Sequence, residues 1–568
     1  MDRHASIMLY VRPTQRVARA CLQDRGTTRR HSVAGLMAAI LVSPFMAVSP
    51  LVAQHGDHVQ LPRSFDEPMP LYEVGLGPFS RPISTISPEA QAFFDQGIQF
   101  LYAFTPEDAA RSFREATKRD ATCAMCWFGE AWAWGPYLNG AMGADDAPRA
   151  YAAIRQALEL APGRTTPVER ALIAALAVRY EATHDADRRA SLDTAYAQAV
   201  EAVYARFPAD LEVGTLYAES LMLLEPRRGT WDIGSASVQR IHGILEEVLS
   251  QDISHPGACH LYIHATESTT RPAMAEDCAD LLGDAIPGAS HINHMPSHTF
   301  NRVGRWGDAV RANIQAWHSD LAAEDGEGFA IYPSHNLHML LFAASFDGQG
   351  AIAIQAGKDY AKIQNGGDFY HVLTLLRFGR FDEILALDVP PSSHLVFRGF
   401  VEFGKGYAHL RMGSADSARV WLGRLELSRQ EGADSFSFRA HTAEQLLGVV
   451  HGILLAEVQR GDGRLNEAIA TLEAAVAIED GLRYDEPEPL NFSARHWLGE
   501  TLLEAGRAAD AERVYLAELE DHPNNGWSLY GLERAVRSQG RSAEADALRE
   551  RFAEAWARSD TRIKGSRF

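Results

Sequence analysis

Cysteine is scarce in this chain, with 5 in 568 residues. Cys123, Cys126, Cys259 and Cys278 are too few and too scattered for the disulfide framework of a small secreted domain. Basic charge is also short. Asp and Glu total 74 against 54 Lys and Arg, a formal net charge of −20. That balance argues against nucleic acid and against an anionic membrane surface as partners. The apolar run Val33 to Val48 is too short, and too broken by Pro44, for a good membrane span. Strand-like alternation is missing, and so are a nucleophile elbow, a phosphate loop and a dinucleotide fingerprint.

What is present begins with an export signal. Arg25, Arg29 and Arg30 precede the apolar run, and Ala53 offers a small-residue cleavage point before Gln54. TRRHSV faintly resembles a twin-arginine signal. The expectation is a signal peptide over residues 1–53 and a periplasmic or secreted mature chain, off the membrane once cleaved. Export makes disulfides permissible. Cys123 and Cys126 form a CxxC, but Trp127 stands where haem attachment requires histidine. Two buried or disulfide-paired cysteines is the plain reading, with metal or redox work the alternative.

After a Pro-rich lead-in, residues 54–87, the pattern is helical, broken by short Gly or Pro turns. FFDQGIQFLYAFTPEDAARSFREATKRD carries Gly97, Phe100, Ala109, Phe113 and Ala116. WLGETLLEAGRAADAERVYLAELEDHP carries Trp497, Leu498, Gly499, Ala511, Tyr515 and Pro523. Both resemble the tetratricopeptide repeat, a 34-residue helix–turn–helix in which small residues let two helices approach closely. The resemblance extends from about Ser87 to about Ala557. It implies an all-α solenoid, a right-handed superhelix whose first helices line a concave groove. Helical repeats are expected over 88–255, a distinctive central block over 256–367 with an insertion at 324–333, and further repeats over 368–568. The groove would take a protein, a peptide or a small-molecule ligand.

The central block is distinctive for its histidines. CHLYIHATE, SHINHMPSHTF and SHNLHML supply His260, His264, His291, His294, His298, His335 and His338. His260 and His264 recur after 34 residues as His294 and His298. Offsets of three, four and seven share one helical stripe. In the tetratricopeptide family these positions face the groove. The histidines would be polar groove residues, direct ligand binders, or metal ligands. Imidazole suits Cu, Fe and Zn and binds anions poorly when neutral, so a transition-metal site is the reading adopted. Helical HxxxH pairs also superficially resemble type-3 copper sites, an analogy without a shared fold. Glu267 is the natural carboxylate ligand or general base, which makes it the candidate catalytic residue. The analysis of spacing leaves an enzyme (a hydrolase or oxidoreductase) and a metal-free interaction scaffold as alternatives. Pro296 interrupts the stripe between His294 and His298. The insertion is expected as a lid over the groove or as a solvated loop.

Overall fold

The computed structural model describes residues 67–226, 229–324, 326, 329–431 and 437–568; the expected export signal, and residues 54–66 of the lead-in, lie outside them. The described chain is an all-α array of helix–turn–helix pairs of tetratricopeptide type, with one two-residue hairpin, Ser437–Phe438 against His441–Thr442. Many helices start where the sequence signals a start. Pro88 follows Ser87, whose side chain accepts from Ala90 N–H. Thr166 and Glu169 form a capping box. Pro256 follows His255, whose Nδ1 accepts from Ala258 N–H. Nearly every helix packs on its successor.

Two glycine pairs show why the repeat needs small residues. The Phe113 ring is wedged between Gly97 and Gly129, and Tyr515 between Gly499 and Gly531, so that a Cβ at Gly129 or Gly531 would lie 2.4 or 2.2 Å from a ring atom. The expected result for Gly531→Val is a destabilisation of about 3 kcal/mol or more, because neither backbone nor buried ring can give way. Thermal melting followed by circular dichroism checks it. Combination with Tyr515→Leu should cost less than the sum of the two single variants.

Among the described residues, first helices far apart in the chain also meet. Pro88–Tyr102 packs against Pro256–Glu267, and Pro333–Asp347 against Gly526–Ser538, pairs remote in sequence. The lead-in is strapped to the first helix: Tyr72 N–H and Gly77 N–H donate to the side-chain oxygens of Gln96 and Gln99 at 2.9 and 2.7 Å. Residues 558–568 run back across the inner face of the later repeats. There Ser566 meets Tyr515 and His496, and Tyr407 donates to the Phe568 backbone oxygen. Both cysteine pairs are disulfides, Cys123–Cys126 and Cys259–Cys278. The CxxC is thus a bonded pair at the start of the helix Ala124–Ala133.

Candidate metal centre

Three consecutive first helices supply the histidines. Pro256–Glu267 carries His260, His264 and Glu267. Ser290–His294 carries His291 and His294. After a break at Met295, Pro296–Val303 carries His298, and Pro333–Asp347 opens with His335. Proline at 296 has no N–H for the helix ladder, so the segment divides there. Met295 keeps helical angles (φ −52, ψ −38), and His294 and His298 stay on one side. Six imidazoles converge in two groups, His260, His264 and His291, and His294, His298 and His335; within each group the ligand atoms lie within 4.8 Å of one another. His335 is partly buried and the other five are buried.

The outward side of four rings is anchored. His260 Nδ1 meets the Tyr102 carbonyl at 2.6 Å, His264 Nδ1 meets Glu267 Oε1 at 2.7 Å, and His294 Nδ1 meets Asn313 Oδ1 at 3.0 Å. His298 Nδ1 holds the other Glu267 oxygen in a short contact. The Asn313 amide is oriented for this, because its Nδ2 donates to Ala309 O at 2.8 Å. For His260, His264 and His294 the acceptor makes Nδ1 the protonated nitrogen and Nε2 the one with the lone pair, the tautomer of a metal-ligating histidine. His298 also hydrogen-bonds His294 Nε2 through its own Nε2 at 2.7 Å, and takes the same form once that second proton is lost. His291, buried, makes no hydrogen bond through either ring nitrogen. An orphaned buried imidazole costs free energy unless something coordinates it.

Electrostatics divide the rings. Burial, reinforced by the neighbouring imidazoles, holds His291 well below the usual histidine range. Burial and His298 do the same to His294. Burial also pulls on His298, but Glu267 outweighs it, with Glu486 adding to the effect, and the ring is lifted to about 9. Neutral imidazoles are the form that binds metal.

The chain closes over this centre with residues that periodicity did not reveal. Phe104, at φ 58, turns its ring onto His260, His264 and His291 at 4.2, 5.8 and 5.2 Å between centroids. A left-handed phenylalanine is strained by about 1–3 kcal/mol, and the three ring contacts offset that cost. Of the described part of the insertion, Tyr332 reaches the histidines. Tyr332 stands edge-on to His291 at 5.5 Å, and its hydroxyl meets that of Tyr137 at 3.0 Å. A loop from far along the chain supplies Tyr484, whose hydroxyl donates to Glu267 Oε2 at 3.4 Å, and Glu486, 3.3 Å from His298 Nδ1. Arg439 pins that loop by donating to Asp485 at 2.5 and 2.8 Å and to Glu486 O at 2.6 Å.

His338 is the histidine that the structure places elsewhere. Its Nε2 meets the Tyr370 hydroxyl at 2.5 Å, and that hydroxyl donates to Pro489 O at 3.1 Å. Burial holds His338 well below the usual range, and its neutral ring links Tyr370 to the covering loop through a hydrogen bond with the Glu488 backbone. Glu267 has both oxygens committed to imidazole Nδ1 atoms, the position of an orienting carboxylate. Beside His298 a narrow cleft leads outward between Asn301, Arg302, Tyr484 and Glu486.

Glu130 and Glu219, two further carboxylates in first helices, are remote from the six rings. Glu130 pairs with Arg114. Burial raises Glu219 to about 7, against the pull of Arg179 and Trp132. A carboxyl whose folded pKa lies above its unfolded value keeps its proton longer when folded. Its contribution is therefore complete below about pH 4.5 and lost as the pH rises to about 7. Glu219→Gln should flatten the fall in stability across that window by on the order of 2–3 kcal/mol. Urea titrations at pH 5 and 7.5 measure it.

No family model and no curated protein matches the chain. Solved structures are similar at low identity. The APC/C hetero-tetramer Cut9–Hcn1 is 12% identical, over 84% of this chain and 80% of that one, with a TM-score of 0.35. Yeast Tom70 is 14% identical, over 82% and 92%, with a TM-score of 0.28. The P58(IPK) TPR domain is 11% identical, over 80% and 99%, with a TM-score of 0.22.

Proposed function

We propose that this chain is an exported metalloprotein, in which a tetratricopeptide-type array holds a transition-metal centre of Cu, Fe or Zn that binds or processes a small ligand. One observation carries the reading. Four buried imidazoles each have an acceptor on Nδ1, with His264 and His298 sharing Glu267, and all four belong to two adjacent histidine groups able to hold a metal ion. Polar residues that merely line a groove have no need of that common tautomer. Metal-ligating histidines acquire it from carboxylates and carbonyls around them. The ligand donors are nitrogen, which suits Cu, Zn and Fe. Burial and the covering loop favour a small ligand, entering beside His298, over a docked peptide. The two disulfides support the export reading, since such bonds persist in oxidising compartments.

The test is elemental analysis of the chain purified without a His-tag or added metal, beside His264→Ala/His294→Ala. The expected result is stoichiometric metal in the first and its loss in the second at unchanged helicity. A wild-type chain that stays metal-free after incubation with Cu, Zn and Fe(II) would overturn the proposal.

A further inference from the structure

We infer that the pocket holds two metal ions, each on three imidazoles, with their remaining coordination positions turned towards each other so that one small exogenous anion bridges them. The inference rests on the metal reading above and specifies its nuclearity and the class of ligand.

Ring contacts divide the six histidines. Within the first group every pair is in contact, His260–His264 at 5.0 Å, His260–His291 at 4.9 Å and His264–His291 at 6.2 Å between centroids. The second group is the same, with His294–His298 at 4.6 Å, His294–His335 at 4.7 Å and His298–His335 at 5.7 Å. Two edges join the groups, His291–His294 at 5.7 Å and His264–His298 at 5.8 Å. The two triads therefore stand side by side with no residue between those edges. Glu267 ties them from behind, with one oxygen on His264 and the other on His298. Three protein ligands are what an open metal site uses, with a fourth position left for water or substrate. Paired sites of this kind hold ions about 3.5–4 Å apart.

Charge points to the bridge. Imidazoles are neutral once they ligate metal, His298 giving up its extra proton, so two divalent ions would bring four positive charges to a buried site. Glu267 and Glu486 supply two negative ones. The surplus favours a small anion in the space shared by both ions. Phe104 and Tyr332 cover the first triad. The cleft with Arg302 opens at His298 of the second, so the anion enters on that side.

The test uses the full chain, stripped with a chelator and titrated with Cu(II) alone, then with azide as the anion probe. The expected result is two equivalents bound. With azide the integrated paramagnetic resonance should fall below half the copper content, because bridged Cu(II) ions couple. His260→Ala and His335→Ala should each retain one uncoupled ion. Wild-type stoichiometry and resonance intensity need no variant, so a misfolded variant does not blunt the test. One equivalent in the wild type, or two with full resonance intensity in azide, overturns this inference while leaving a metal centre in place. No copper bound, with Zn and Fe(II) refused as well, overturns the metal reading beneath it.

Discussion

Glu267→Ala is expected to weaken metal retention at both histidine triads, by at least about 100-fold overall. Removing one acceptor behind a ligating histidine costs roughly 10–100-fold in affinity, and this carboxylate stands behind two ligands, His264 and His298. Without it, the buried Nδ1–H of His264 loses this acceptor, at about 1–3 kcal/mol, and that of His298 is left with Glu486 at 3.3 Å. Both rings become able to rotate or change tautomer. Asn313→Ala is the matched comparison, because Asn313 orients His294 alone; its effect should stay within roughly 10–100-fold. Competition against a chromophoric chelator measures both. Glu267→Gln should fall between wild type and alanine, since an amide keeps one accepting oxygen. If Glu267→Ala holds metal as tightly as wild type, the carboxylate is not what sets the ligand tautomer.

The recurrence of His260 and His264 as His294 and His298 made the stripe legible in the sequence, and the structure brings those four rings together. The same reasoning set His338 beside them and was insufficient there. Periodicity gives an angle around a helix, not a position along it. His335 and His338 share an angle, but three residues advance the chain about 4.5 Å, and in the third helix the earlier residue reaches the centre. His338 meets Tyr370 instead. The covering residues were hidden for another reason. Phe104, Tyr332 and Glu486 arrive through turns and loops, and contacts across some 200 residues leave no local pattern. One signal was present: YDEPEP, acidic and proline-broken between two repeats, is a poor helix and a plausible cover. Repeat periodicity describes how neighbouring units stack. It carries no information on what a lead-in or a tail then does with the inner face.

That tail supports the second large effect. Deleting residues 558–568 should destabilise the later repeats by on the order of 5 kcal/mol or more. Arg558 donates to both oxygens of buried Asp347 at 2.6 and 2.8 Å. Its loss leaves Asp347 with the Gln349 amide as a donor at 2.7 Å, and because Arg558 is 45% exposed the cost is about 1–2 kcal/mol. Asp560 accepts from Gly350 and Ala351 N–H at 2.8 and 2.9 Å, acting as a cap on the helix Gly350–Ile363. The Phe568 ring lies 5.9 Å from Trp527, and its backbone oxygen accepts from Tyr407 at 2.7 Å. Asp347 ends the helix that His335 begins, so the damage should reach the centre. The truncated chain should melt earlier and also lose metal first from the triad containing His335. Arg558→Ala, which removes the ion pair and keeps the rest of the tail, should reproduce a smaller part of the destabilisation. Unfolding monitored by circular dichroism, with metal release followed in the same titration, separates the two effects. A truncation that melts like wild type would show that the tail only rests on the inner face, and the groove would then be open to a partner.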